Sequence, residues 1–148
     1  MISSILIPTD FSPASWNATQ VGIELYQHYK EASISFLHVY PDSSRYSGKE
    51  LPNVTESQLQ QFKERMNHLS QNLIDFSDDK IQNVVLTGNV EKTILQFIKD
   101  HQFDLVIVGI NSNGHTNEIG SHTVKVIRES GVPVMIVPNR TSHGAIAS

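Results

Sequence analysis

The stretch Asp104–Pro138, DLVIVGINSNGHTNEIGSHTVKVIRESGVPVMIVP, decides the fold of this chain. Its apolar run Leu105–Val108 predicts a buried strand, and Pro133–Val137 predicts a second one. Between them lie a glycine-bearing loop, Gly109–Gly120, and a predicted helix, Ser121–Ser130. Two short apolar runs that are joined through a helix are typical of a β-α-β unit, in which the two strands run parallel.

The rest of the chain shows the same alternation of strand and helix. The other predicted strands are Ile2–Pro8, Ile34–Tyr40 and Ile81–Thr87. The other predicted helices begin at Pro13, after an N-cap at Ser12, near the capping-box sequence that starts at Thr55, and at Val90. Alternating elements predict an α/β fold with a parallel sheet and helices on both faces. In such sheets a ligand binds at the carboxyl ends of the strands, where the strand order reverses.

Three details concern the first helix and a long connection. The first helix carries one apolar face, made of Ala14, Ala18, Val21, Leu25 and Tyr29. Gly22 within that helix would let it lie close to the sheet. The connection Pro41–Val54 is long for a compact domain, which is typical of a mobile or a functional segment. We expect it to be the most mobile internal segment.

Composition excludes several classes of function. The chain has 148 residues, which indicates one domain, and a formal net charge of −4 with no basic run, so nucleic acid and anionic membranes are poor partners. It has no cysteine, which excludes disulfides, thiolate metal sites and cysteine nucleophiles. The opening MISSILIPTD shows no signal peptide, and no apolar run reaches membrane-spanning length. We therefore expect a cytoplasmic protein.

The loop after Val108 is the best candidate for a binding site. It leaves the carboxyl end of a strand, contains three glycines and opens a helix, whose free N–H groups favour an anion. Its Gly109–Thr116 segment nearly matches a P-loop, but His115 stands in place of the phosphate-binding lysine. A P-loop is therefore rejected, and no G-x-G-x-x-G fingerprint follows any predicted strand.

Several segments in the right order resemble the universal stress protein family over residues 2–138. They are the opening ILIPTDFSPAS, the later SFLHVY, the glycine loop that ends in Gly-Ser, and the final V-P-V strand. The resemblance implies a five-stranded parallel sheet of order 3-2-1-4-5, the adenine nucleotide alpha hydrolase-like or flavodoxin-like architecture. It also implies one domain over residues 1–139, with a flexible tail at 140–148, and a homodimer through the edge strand Val132–Pro138.

The same resemblance implies an adenine-nucleotide site for ATP or AMP, with magnesium. The candidate site residues are Pro8, Thr9, Asp10, Val39, Gly109, Ser112, Gly114, Gly120, Ser121 and His122. In the family, the match of Asp10 lies by the ribose or adenine, the matches of Pro8, Thr9 and Val39 line the adenine, and the glycines and Gly-Ser pair hold the phosphates. The alternative is that Pro8-Thr9-Asp10 is only a turn that ends a strand.

The glycine loop departs from the family pattern. Ser112 stands where the second glycine belongs, and the Gly109–Gly120 spacing is two residues short. Gly114 either substitutes for the second glycine or only eases a tight turn. A shorter loop with a Cβ at the close approach predicts weak triphosphate binding. The histidines form no metal or catalytic motif. His115 and His122 are interpreted as exposed polar residues, the alternative being that they converge on an anion or a metal, and His38 is interpreted as a satisfied core residue. A triad of Ser121, His122 and Asp10 lacks the G-x-S-x-G elbow.

Three hypotheses remain at this point. The first is a dimeric regulatory module of the stress response whose nucleotide site is degenerate and weak. The second is a genuine ATP- or AMP-binding member of the family with slow hydrolysis. The third is an unrelated enzyme on a similar sheet, for which no catalytic set is visible. Whether the chain is an enzyme stays open.

Overall fold

The computed structural model describes residues 2–29, 31–41, 56–70, 79–110 and 121–138. Within these ranges strands and helices alternate along the whole chain. The elements are β1 Ser4–Pro8, α1 Pro13–His28, β2 Ser33–Pro41, α2 Glu56–Ser70, β3 Ile81–Gly88, α3 Val90–Asp100, β4 Leu105–Ile110, α4 Ser121–Arg128 and β5 Val134–Pro138. The predicted boundaries agree to within two residues wherever the structure describes them.

The strands form one parallel sheet of order β3-β2-β1-β4-β5. The central strand β1 places Ile5 opposite Ile34 of β2 on one side and opposite Leu105 of β4 on the other. The order implied by the family resemblance is therefore confirmed. Because the chain moves outward from β1 to β3 and then returns to β4, the strand order reverses between β1 and β4.

Each face of the sheet has its own apolar core. One core contains Ala18 and Ile23 of α1 together with Phe62 and Met66 of α2. The other contains residues of α3 and α4, namely Ile94, Ile98, Val124 and Ile127. Ile5 and Ile7 of β1 enter the first core and Leu6 enters the second, all fully buried, as expected of a strand covered on both faces.

The start of α1 matches its prediction, but its end does not. Ser12 caps the helix by accepting a hydrogen bond from the Ser15 amide at 3.1 Å, and Pro13 takes the first position. Tyr29, predicted on the buried face, is 39% exposed. The helix ends at His28, and Tyr29 turns to an extended conformation, so it leaves the helical spacing on which that prediction depended.

Gly22 allows α1 to lie directly on the sheet, as predicted. A Cβ added there would overlap Cδ1 of Ile7 on β1.

The long connection after Pro41 and the residues after 138 fall outside the described ranges. The mobile connection and the flexible tail therefore stay predictions. None of the helices in the described ranges combines the length and the apolar character that a membrane span requires.

Candidate functional site

The reversal of strand order brings the carboxyl ends of β1 and β4 together at one edge of the sheet, because β1 and β4 are hydrogen-bonded neighbours. Ligands of open α/β sheets bind at such an edge. The residues Thr9–Ser12, here named the β1–α1 turn, join β1 to α1 there. After β4, the structure describes the chain again from Ser121, the first residue of α4.

The β1–α1 turn is held by hydrogen bonds from its own polar groups. The amide of Thr9 donates to the carbonyl of Leu37 on β2 at 2.8 Å. Further along, the Phe11 amide donates to Oγ1 of Thr9 at 3.2 Å, and the Ser12 amide donates to Oδ1 of Asp10 at 2.9 Å. The last bond is an Asx turn, so Asp10 has a local structural role at this position.

A residue that sequence reasoning missed, Ser15, completes this network. Its hydroxyl is fully buried and donates to Oδ1 of Asp10 at 2.9 Å, and it accepts from Oγ1 of Thr9 at 3.2 Å. One side chain of α1 thus connects Thr9 and Asp10 of the turn. The signal that could have found it is the serine three residues after the N-cap Ser12, where a small polar side chain faces back toward the turn.

Phe11 stores strain in the turn. Its φ of 64° lies in the left-handed region, which a bulky residue enters only when its surroundings hold it there. Its ring lies 5.5 Å from Phe62 between centroids, and the Arg65 guanidinium carbon lies 3.7 Å above its centre. Phe62 and Arg65 both belong to α2, so α2 holds the turn through the ring of Phe11. Beside them lies a cavity of about 450 Å³, lined by Phe11, Gln61, Glu64, Arg65 and His68.

His38 on β2 is half-buried and hydrogen-bonded, as predicted. Its Nδ1 lies 2.8 Å from the carbonyl oxygen of Thr9, and its ring packs 4.9 Å from Phe11. Burial lowers the pKa of His38; the nearby Arg65 charge also lowers it, while the bond to Thr9 and the Asp10 carboxylate oppose the shift. These effects together favour the neutral form of the ring.

Gly109, at the end of β4, is packed against the first turn of α1. A Cβ on this residue would overlap the carbonyl group of Ala14 and would lie 3.1 Å from the amide nitrogen of Ser15. The absence of a side chain is thus required by the approach of helix to strand. Packing against α1 therefore explains why position 109 is a glycine, without any contact to a phosphate.

Comparison with known proteins assigns the family. The model of the universal stress protein family matches residues 1–138. The chain belongs to the universal stress protein family. Among curated proteins, no match to this chain was found.

Solved structures support the same fold. The hypothetical protein MJ0577 is 25% identical, with a TM-score of 0.66 over 96% of this chain and 99% of that one. The universal stress protein UspA from Lactobacillus plantarum is 18% identical, with a TM-score of 0.65 over 92% and 97% of the two chains. A universal stress protein in complex with cAMP is 18% identical, with a TM-score of 0.60 over 93% and 98%.

In this universal stress protein the candidate residues fall into three groups. Pro8, Thr9 and Asp10 lie together at the end of β1, and Gly109 is the last residue but one of the neighbouring strand β4. Val39 is buried in the core under α3 and α4. The first two residues of α4 are Ser121 and His122; Ser112, Gly114 and Gly120 lie outside the described ranges. The described part of the chain holds no group of three or more side chains that could bind a metal ion.

Proposed function

We propose that this universal stress protein is a regulatory binding module that takes an adenine nucleotide at the carboxyl edge between β1 and β4. The observation that carries the proposal is the β1–α1 turn, in which hydrogen bonds from Ser12 and Ser15 fix Asp10 at the switch point of the sheet. Preorganised polar groups of this kind reduce the cost of ordering on binding. The family relative in complex with cAMP supports an adenine nucleotide as the ligand class.

The affinity that we propose is low. Gly109 is committed to the contact with α1, and Oδ1 of Asp10 already accepts two local hydrogen bonds. The sequence of the loop after β4 has no lysine or arginine and carries Ser112 in place of a glycine. The features of Gly109 and of the loop remove part of what phosphates need, and the two local bonds leave Oδ1 of Asp10 less able to accept from the nucleoside. We therefore expect a dissociation constant of about 0.1 mM or weaker for ATP, near −5.5 kcal/mol.

The module acts as a homodimer in the stress response. The edge strand β5 leaves Met135 36% exposed, with Val134 and Ile136 half-buried beside it. An apolar edge strand is prone to pair with another chain unless it is covered. A two-fold copy of the same strand would cover it with an isologous interface.

Calorimetric titration with ATP, AMP and cAMP, each with magnesium, tests the nucleotide site. Two changes at Asp10 separate its roles: Asp10→Asn keeps an acceptor for Ser12 and Ser15 but removes the charge, whereas Asp10→Ala removes both. We expect weak binding by the native chain and a further loss in Asp10→Ala. Asp79→Ala, an exposed carboxylate at the opposite edge, is the matched control and should bind as the native chain does.

A rebuilt loop tests the reason for weak binding. Two residues inserted between Gly114 and Gly120, together with Ser112→Gly, restore the spacing of the family pattern. We expect the rebuilt protein to bind ATP more tightly, and Asp10→Ala in it to remove most of the gain. Tight binding by the native loop would favour the second hypothesis, a genuine ATP-binding member. An absence of binding by both loops would reject the nucleotide site.

A further inference from the structure

We propose that His38 is a positioning residue for the nucleotide site, because its Nδ1–H holds the carbonyl of Thr9 and thereby fixes the turn that presents Asp10. This proposal rests on the proposed function and names the side chain on which the geometry of that site depends. His38 lies on β2, which is the neighbour of β1 on the side away from β4. It therefore contacts the turn itself, through the carbonyl of Thr9.

The hydrogen bond between His38 and Thr9 has a defined direction. A carbonyl oxygen only accepts, so Nδ1, at 2.8 Å from the Thr9 oxygen, carries the proton. The Thr9 amide donates to Leu37, so β2 holds both backbone groups of Thr9, the amide through its main chain and the carbonyl through the His38 ring. Thr9 is 5% exposed, and a buried carbonyl that loses its partner is costly.

The His38 ring also supports the strained residue of the turn. Phe11 packs against it at 4.9 Å between centroids, and Phe62 of α2 stacks on it at 6.0 Å with an interplanar angle of 14°. Tyr40 completes the enclosure at 4.5 Å. A single side chain therefore holds the carbonyl before Asp10 and the ring after it, and Asp10 is fixed between these two contacts.

The environment of the ring favours its neutral form. The titratable and charged groups that face it are Asp10 from the turn, Arg65 from α2 and Tyr40 from its own strand. Burial and Arg65 disfavour a second proton more than Asp10 and the Thr9 carbonyl favour it, so the pKa lies below the ordinary value of 6.5. Protonation at Nε2 places a charge among three aromatic rings, and the turn should respond to it.

Two substitutions separate the hydrogen bond from the packing. His38→Phe keeps a ring but has no donor, whereas His38→Asn keeps a donor at the position of Nδ1 but has no ring and does not titrate. We expect His38→Phe to weaken nucleotide binding about tenfold, the equivalent of one buried hydrogen bond, and His38→Asn to stay within about threefold of the native chain. His28→Asn, an exposed histidine of α1, is the control.

A measurement without ligand keeps this test independent of the nucleotide. In NMR spectra of the native protein, the amide signals of Phe11, Ser12 and Ser15 should shift with a midpoint below pH 6.5, together with the His38 ring signals. The same amides should not titrate in His38→Asn, and His38→Phe should displace them at every pH. If the native chain binds no nucleotide, the proposed function fails, and these amide signals still decide whether His38 fixes the turn.

The opposite results would overturn the proposal. Amide signals of the turn that are unmoved in His38→Phe, with unchanged affinity, would show that the bond to Thr9 positions nothing. A loss of affinity in His38→Asn but not in His38→Phe, without any titration of the turn, would show that the ring acts only through packing.

Discussion

Replacement of Gly109 by alanine tests most directly whether this glycine serves the helix contact or the phosphate. The added Cβ would overlap the carbonyl oxygen and carbonyl carbon of Ala14, and both are backbone atoms in the first turn of α1. The strand end and the helix start would have to separate, and β4 is fully buried there. Overpacking of a rigid core costs about 1–3 kcal/mol, and a backbone neighbour places this site at the upper end of that range.

Gly22→Ala is a matched control, because it also lies where α1 packs on the sheet, but with the glycine on the helix and the neighbouring side chain on a strand. There the added Cβ meets Cδ1 of Ile7, the end of a flexible side chain. Moving that methyl group off its rotamer costs about 0.5–1.5 kcal/mol, and the gain in helix propensity is about 1 kcal/mol. We therefore expect the free energy of unfolding to change little in Gly22→Ala and to fall by about 3 kcal/mol in Gly109→Ala.

Urea denaturation followed by Trp16 fluorescence and circular dichroism measures both variants. A loss of about 3 kcal/mol corresponds to a fall in melting temperature of about 6–12 °C for a domain of this size. The reasoning is refuted if Gly109→Ala is as stable as the native chain. A stable Gly109→Ala protein that has lost nucleotide affinity would show that the glycine is needed for phosphate approach and not for packing.

Three further predictions concern assembly and pH. Met135→Lys should give a monomer by light scattering, whereas Gln82→Lys on the other edge strand should not; a native chain that is already monomeric would refute the dimer. Since the pKa of His38 is lowered in the folded state, protons bind the unfolded chain more readily below pH 6.5, and the free energy of unfolding should fall as the pH drops from there. That fall should be smaller in His38→Asn. The prediction is contradicted if the free energy of unfolding depends on pH identically in the native chain and in this variant. The pKa of Asp104 is lowered by hydrogen bonds from the Ser3 hydroxyl and from the Ser3 and Ser4 amides. Asp104→Asn should therefore lower the melting temperature at pH 7. The difference in melting temperature between the native chain and this variant should narrow below pH 3.8, where the carboxylate becomes protonated.

The fold was predictable because each element is local in sequence. Apolar runs such as Ile5-Leu6-Ile7 and Leu105–Val108 are too short for helices and too continuous for exposed strands, so they predict a covered parallel sheet. The strand order itself came from the family resemblance. The error at Tyr29 arose because helical spacing cannot show where a helix stops.

The site was only partly predictable because its remaining members come from packing. Pro8 ends a strand and Thr9 and Asp10 follow it directly, so topology alone places them at the carboxyl edge. Arg65 and His38 reach the same turn from other elements, and no spacing in the sequence relates them to it. Gly109 shows a different limit, since a sequence cannot tell whether a glycine faces a ligand or a neighbouring helix.

The central place of β1 has a consequence for synthesis of the chain. One edge of β1 pairs with β2 early, but the other pairs only with β4, which follows about 100 residues later. At ribosomal rates of about 5–20 residues per second, that edge waits about 5–20 s for its partner. During this interval Ile5, Leu6 and Ile7 form an apolar strand with a bare edge, which is a template for aggregation. We therefore expect the nascent protein to depend most on chaperones before Leu105 has emerged from the ribosome.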